Sequence, residues 1–166
     1  MANEMFHKIR HLNKSFTYEE WSQYQEECRT GKREPIQTTI GKYVWNENDI
    51  CLNPNEWELV TKAGGYGYFV IIKWAECGNG VFAFGYRYNA GTEGGSCGVS
   101  WADKADIKVW NKGFESEKEC KRYALRYVLT RILPKKDNHE VMKLRAKVQE
   151  ELDKLQKPQW VQLELF

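Results

Sequence analysis

The chain has 166 residues, 42% of them hydrophobic, which is enough for a domain with its own apolar core. Its 25 basic and 23 acidic side chains give a net charge of only +2, which excludes both a strongly basic nucleic-acid coat protein and an acidic mimic of DNA. Five cysteines without a C-x-x-C pair, and the lack of a signal sequence or membrane-spanning stretch, predict a cytoplasmic protein that does not enter a membrane.

Residues 1–34 are predicted to form an N-terminal helical segment. Thr17 and Glu20 have the spacing of a capping box, in which two side chains cap backbone N–H groups of the first helical turn. The helix is expected to end at Arg29, before Gly31. Its apolar face consists of Tyr18, Trp21, Tyr24 and Cys28.

Residues 35–133 are predicted to form the core of the fold. Runs of β-branched and aromatic residues predict strands, and Gly78-Asn79-Gly80 predicts a hairpin between the two clearest of them. A Gly-rich loop is predicted over Gly91–Gly98. The predicted strands are Thr38–Trp45, Trp57–Lys62, Tyr66–Glu76, Val81–Asn89 and, as one strand or two, Val99–Trp110.

One of these strands carries aromatic side chains at alternate positions, so they share a face of the sheet: Phe82, Phe84, Tyr86 and Tyr88. An open face of this kind would be a platform on which nucleic-acid bases stack. The favoured interpretation is a buried face that is covered by helices.

A second capping box, Ser116 and Glu119, predicts the start of a helix that runs to about Leu133, before Pro134. Residues 116–136 carry seven basic and two acidic side chains. The helix face expected to point inward consists of Cys120, Ala124, Tyr127, Val128 and Ile132.

Lys118, Arg122 and Arg126 recur at i, i+4 and i+8 on the opposite side of this helix. Such a row of cations suits contact with DNA phosphates, and duplex DNA is therefore one candidate partner. An ordinary solvated helix face is the other interpretation, and the small net charge of the chain favours it.

Residues 134–157 are predicted to form a C-terminal helix, centred on residues 138–156. Its narrow apolar stripe must pack either on the domain or on a second copy of the chain, so a homodimer through this helix is a candidate assembly. The whole pattern predicts an α+β fold, with a twisted antiparallel sheet of four to six strands packed with helices from both chain ends. The stripe consists of Val141, Leu144, Val148, Leu152 and Leu155.

The order of strand, strand, strand and helix over residues 66–133 loosely resembles the small DNA-binding domains at the start of phage integrases and in AP2-type proteins. The turn into the helix, KGFESEKEC at residues 112–120, is similar to theirs. The resemblance implies a three-stranded sheet that enters the major groove of DNA. It is a likeness of topology only.

The sequence predicts no catalytic residue, metal site or cofactor, and an enzyme is the less favoured class. The Gly91–Gly98 loop lacks the Gly-Lys-Ser/Thr ending of a phosphate-binding loop. Cys97 would need a base as a nucleophile, and the only histidine after it is His139, on a different predicted element. His7 and His11 have a helical i, i+4 spacing but no third ligand nearby.

Residues 158–166 are predicted to form a flexible tail that ends in Gln-Leu-Glu-Leu-Phe. This pentapeptide closely resembles the peptide by which bacterial proteins bind the DNA polymerase sliding clamp. The resemblance implies that Gln162 hydrogen-bonds at the rim of a cleft on the clamp, that Leu163 supports it, and that Leu165 and Phe166 fill the apolar pocket. The other interpretation is a tail that packs on its own domain.

These features predict a non-enzymatic accessory protein of DNA replication, repair or mobile-element maintenance, for example of a phage. It would be recruited to the sliding clamp by its tail and would contact DNA through the basic helix. The alternative is a protein-interaction module or inhibitor of the phage or mobile-element anti-defence type, which would act through the aromatic β surface without binding DNA.

Overall fold

A computed structural model describes residues 4–109 and 111–156 of the chain. Its contacts divide the chain into two compact units, Met1–Asn53 and Pro54–Phe166. The sequence pattern placed its first boundary after residue 34. None of the helices in the described ranges is long and apolar enough to cross a membrane.

The first unit consists of two small hairpins and one helix. Strands β1 (His7–Ile9) and β2 (Lys14–Phe16) pair antiparallel, and so do β3 (Gln37–Ile40) and β4 (Tyr43–Asn46). Helix α1 (Tyr18–Arg29) begins as predicted, because the Thr17 hydroxyl accepts a hydrogen bond from the Glu20 N–H at 3.2 Å. The small core of this unit is Ile9, Phe16, Trp21 and Tyr24.

The prediction of one strand over Thr38–Trp45 is wrong. The chain reverses between β3 and β4 at Gly41, whose φ of +62° is a left-handed conformation that glycine adopts without strain. The turn that follows β4 is fixed by the buried Asp49. Its carboxylate accepts hydrogen bonds from the Arg10 N–H at 2.9 Å and from the ring Nδ1 of His11 at 2.7 Å.

The second unit is built on a four-stranded antiparallel sheet in the order β5-β6-β7-β8. The predicted hairpin is confirmed, since β6 and β7 pair from Glu76–Phe82 onward and Gly78 and Gly80 have positive φ. The strands are β5 (Asn55–Lys62), β6 (Tyr68–Glu76), β7 (Phe82–Ala90) and β8 (Glu93–Cys97).

Two predictions about the region after β7 are wrong. The predicted loop Gly91–Gly98 contains β8, which pairs with β7. The predicted strand Val99–Trp110 is not one, since residues 98–109 are all described and contain no strand. Their buried apolar residues pack as a loop instead, and the Trp101 indole N–H donates to the Cys77 carbonyl at 2.9 Å.

Two helices pack on one face of this sheet, which confirms the α+β class. Helix α2 (Glu117–Tyr127) continues into a π-helical turn (Val128–Ile132), and helix α3 is His139–Gln156. The apolar stripe of α3 lies in the core of its own unit, which is the first of the two packings expected for it. The aromatic face of β7 also lies against this core, as the favoured interpretation expected, and Phe84 is buried.

Candidate functional site

Contacts at the first turn of α2 fix the orientation of this helix. The Ser116 hydroxyl accepts from the Glu119 N–H at 3.1 Å, which is the predicted cap. The Glu117 carboxylate accepts from the Trp74 indole N–H at 3.0 Å, so the helix is tied to β6. Cys120 and Ala124 are thereby buried against the sheet.

The three predicted cations occupy the outer side of α2, but they are not equivalent. Lys118 and Arg126 are exposed, whereas Arg122 is half-buried. Arg122 and Arg126 line a cleft of about 480 Å³, which we call the basic cleft, and Lys118 is outside its lining. The cleft is lined by Lys104, Lys112, Gly113, Phe114, Glu115, Glu119, Arg122, Tyr123 and Arg126.

The loop after β8 brings Lys104 and Lys112 to the cleft, which the sequence did not predict. The Ala105 N–H donates to the Asp103 carboxylate at 3.0 Å, and the Gly113 N–H donates to the Asp106 carbonyl at 3.3 Å. Beyond this turn, Phe114 exchanges two backbone hydrogen bonds with Phe82, at 2.6 and 2.9 Å. The loop is therefore anchored to the start of β7.

The basic cleft concentrates positive charge. Four basic and two acidic side chains line it, so its net charge equals the +2 of the whole chain. One of the acids, Glu115, pairs with Lys104 at 3.2 Å, and both of these side chains are exposed. Such an exposed pair is weak. The cleft is accordingly suited to an anion.

Arg122 has a hydrogen-bonding group without a partner. Its Nε is buried and has no acceptor among the residues that the structure describes. A buried unsatisfied donor costs about 1–3 kcal/mol, and more for a charged group. A ligand in the cleft reaches this Nε only if the Arg122 side chain turns, since the atom has almost no accessible surface.

Aromatic rings form the wall next to these cations. The rings of Phe114 and Tyr123 lie 4.9 Å apart, and the Lys112 ammonium stands 5.4 and 5.3 Å from their centroids. The Tyr123 hydroxyl donates to the Val109 carbonyl at 3.2 Å, which fixes the ring. An aromatic wall with a cation against it suits a planar group that carries negative charge.

The π-helical turn adds a further cation. Its i to i+5 hydrogen bond runs from the Leu133 N–H to the Val128 carbonyl, at 2.8 Å. In a regular α-helix the residue five positions after Arg126 lies on another face, but the wider turn brings Arg131 to the same side. The two arginines share a hollow of about 170 Å³, lined by Tyr123, Arg126, Tyr127, Thr130 and Arg131. We call this the second hollow.

The other residues considered from the sequence are engaged elsewhere. Burial raises the pKa of the Cys97 thiol, whereas a nucleophilic cysteine needs a lowered pKa. The ring of His7 stacks on Trp21 at 3.7 Å, and His11 is hydrogen-bonded to Asp49. No group of three or more potential metal ligands occurs among the described residues.

The predicted clamp-binding residues Gln162, Leu163, Leu165 and Phe166 lie outside the described residues. Their role stays a prediction from the sequence. Comparison with known proteins gave no match: no protein-family model fits the chain, and no curated protein or solved structure is similar enough to indicate a relationship.

Proposed function

We propose that the chain is a non-enzymatic accessory protein of DNA replication, repair or mobile-element maintenance. It binds the bacterial sliding clamp through Gln162, Leu163, Leu165 and Phe166, and it contacts DNA through the basic cleft. It acts in the cytoplasm, where replication clamps are loaded on DNA.

One observation supports the DNA contact above all others: Arg122 and Arg126 meet Lys104 and Lys112 in one cleft. Phosphate oxygens are acceptors that suit a guanidinium. Two residues of the row on α2, Arg122 and Arg126, thus fit a binding cleft, whereas Lys118 fits a solvated helix face.

The clamp contact is supported by the sequence of the tail. Burial of two large apolar side chains, Leu165 and Phe166, contributes roughly 3–6 kcal/mol before the cost of ordering the tail. A micromolar complex needs about 8 kcal/mol, so the hydrogen bonds of Gln162 and the contact of Leu163 are required as well. The expected complex is transient.

Binding to a purified bacterial sliding clamp tests this half of the proposal. We expect the intact chain to bind with roughly micromolar affinity, and a chain that ends at Pro158 not to bind. Phe166→Ala removes one of the two side chains that fill the apolar pocket of the clamp. Glu164→Ala is its matched control, because this position of the motif tolerates different residues. Equal clamp affinity of the intact and the shortened chain would remove the tail from the proposal.

Binding to labelled DNA at low salt tests the other half. Arg122→Gln and Arg126→Gln should each weaken binding and reduce its dependence on salt, because each removes a phosphate contact. Lys143→Gln is the control of equal charge change, since Lys143 is an exposed lysine on α3 that does not line the cleft. Equal losses in all three variants would indicate a diffuse charge effect and contradict a DNA contact in the cleft.

The alternative, an interaction module or anti-defence inhibitor without DNA binding, was expected to use the aromatic β surface. In the second unit Phe84 of that surface is buried, and Phe82, Tyr86 and Tyr88 pack half-buried against the core. An inhibitor would therefore have only the exposed parts of these three rings for contact with a partner.

A further inference from the structure

The basic cleft and the second hollow share two residues, Tyr123 and Arg126, and so form one continuous track along α2 and the π-helical turn. We propose that this track binds a single, unpaired DNA strand and not a duplex. This inference rests on the proposed DNA contact and names the form of DNA that the cleft takes.

The position of Arg122 is the first reason. This side chain is half-buried in the lining of the cleft, so a group that contacts it has to enter the cleft. A duplex keeps its bases paired inside and presents its phosphates on a wide convex surface, which suits exposed cations outside the cleft such as Lys118. An unpaired nucleotide is narrow enough to enter a cleft of about 480 Å³.

The second reason is that the same pair of groups occurs twice along the track. Lys112 stands over the ring of Tyr123 at 5.3 Å, and the guanidinium of Arg131 stands over the ring of Tyr127 at 5.9 Å. The two tyrosine rings are 6.4 Å apart and nearly parallel, with 21° between their planes. Arg126 lines both the basic cleft and the second hollow.

The track presents an aromatic ring with a cation twice. A single strand presents a flat base and a phosphate at every nucleotide, so the two repeats match. Both rings are half-buried and pack against the core, but they also line the basic cleft and the second hollow. A cation beside such a ring contributes only a small stabilisation, so it can turn to a phosphate when a base contacts the ring. Duplex DNA offers no free base face for this contact, whereas an unpaired strand does.

The acidic lining residues agree with this occupant. Glu119 lines the cleft among the cations, where a carboxylate repels a bare phosphate. The same carboxylate is an acceptor for the N–H groups of an unpaired base, such as the ring N3–H of thymine. In a duplex these N–H groups are engaged in base pairing.

The test compares a short labelled oligothymidylate with a duplex of the same length by fluorescence anisotropy, using the full chain. We expect the oligothymidylate to bind at least about tenfold more tightly, because stacking adds to the phosphate contacts. Equal or tighter binding of the duplex would overturn the inference and leave the proposed DNA contact standing. If neither DNA binds, both the inference and the DNA contact fail, and clamp binding by the tail is measured independently.

Variants locate the strand on the track. Tyr127→Leu should reduce affinity for the oligothymidylate about tenfold. Tyr127→Phe keeps the aromatic ring and should bind the oligothymidylate as tightly as the unchanged chain. Arg131→Gln should lower the salt slope by about 0.7, the value of one phosphate contact with a single strand. Arg87→Gln is the control of equal charge change, on the sheet face away from the helices, and should leave the slope unchanged.

Circular dichroism of each variant shows whether the fold is retained. If Tyr127→Leu keeps its fold and full affinity, or if Arg87→Gln lowers the salt slope as much as Arg131→Gln does, the strand does not follow this track and the inference is wrong.

Discussion

Gly113 holds the loop that carries Lys112 close to the start of the sheet. A Cβ at this position would lie 2.5 Å from the Asp103 carbonyl oxygen and 2.6 Å from a methyl carbon of Val81. Both distances are too short for a real side chain, so the loop would have to move. The position of Lys112 in the basic cleft therefore depends on the absence of a side chain here.

We expect Gly113→Ala to destabilise the protein by about 1–3 kcal/mol, the usual cost of overpacking, and to weaken DNA binding by displacing Lys112. Gly65→Ala is the matched control, because a Cβ there would meet no atom within 4 Å and its backbone needs no positive φ. The free energy of unfolding from urea titration measures the difference. Equal values for the two variants would show that the loop adapts at no cost.

The thiol of Cys97 is a second feature at the residue scale. Because burial raises its pKa, the thiol is protonated at neutral pH and becomes a thiolate only at a pH above the usual range for cysteine. We expect slow alkylation of Cys97 by iodoacetamide at pH 8 in the folded chain, and faster alkylation as the pH rises. Rapid reaction at pH 7 would indicate an activated cysteine and revive the enzyme hypothesis.

At the scale of elements, the sequence of α3 leaves open whether its apolar stripe packs on its own domain or on a second copy of the chain. The structure shows the first of these packings. Leu144 of this stripe is fully buried in the core of the second unit, whereas Met142 is 55% exposed. We expect Leu144→Ala to cost about 2–5 kcal/mol and Met142→Ala less than about 0.5 kcal/mol. A midpoint of unfolding that rises with protein concentration would show that the stripe is a dimer interface instead.

The elements that the sequence predicted well are those with local signals. The cap formed by Ser116 and the turn at Gly78 depend on residues a few positions apart, so their chemistry is visible in the sequence. Strand β8 has the composition Glu-Gly-Gly-Ser-Cys and forms only because it pairs with the edge of β7. Nothing local indicates that pairing.

The same distinction applies to the candidate site. Arg122 and Arg126 follow the period of an α-helix, so the sequence brings them together. Lys104 and Lys112 reach the cleft only through the fold of a loop, and Arg131 meets Arg126 across a π-helical turn. Contacts of this kind depend on backbone geometry that a single sequence does not reveal.

At the scale of the whole molecule, the two proposed contacts are individually weak, and their value lies in acting together. A chain of net charge +2 lacks the broad positive field that holds a protein on DNA alone, and a transient clamp contact is not sufficient alone either. When the tail is bound to a clamp that is loaded on DNA beside an unpaired stretch, however, the basic cleft meets that unpaired strand at a high effective concentration.

We therefore expect the intact chain to bind DNA that carries a loaded clamp about 10²–10⁴ times more tightly than the same DNA without a clamp. Phe166→Ala should abolish this gain and leave the affinity for free DNA unchanged. Arg126→Gln should weaken both binding to free DNA and the gain, while clamp affinity in the absence of DNA stays the same. Surface plasmon resonance on immobilised DNA, with and without the clamp, separates these results. If the gain persists in Arg126→Gln at full size, the clamp alone holds the protein, and the basic cleft contributes nothing to its recruitment.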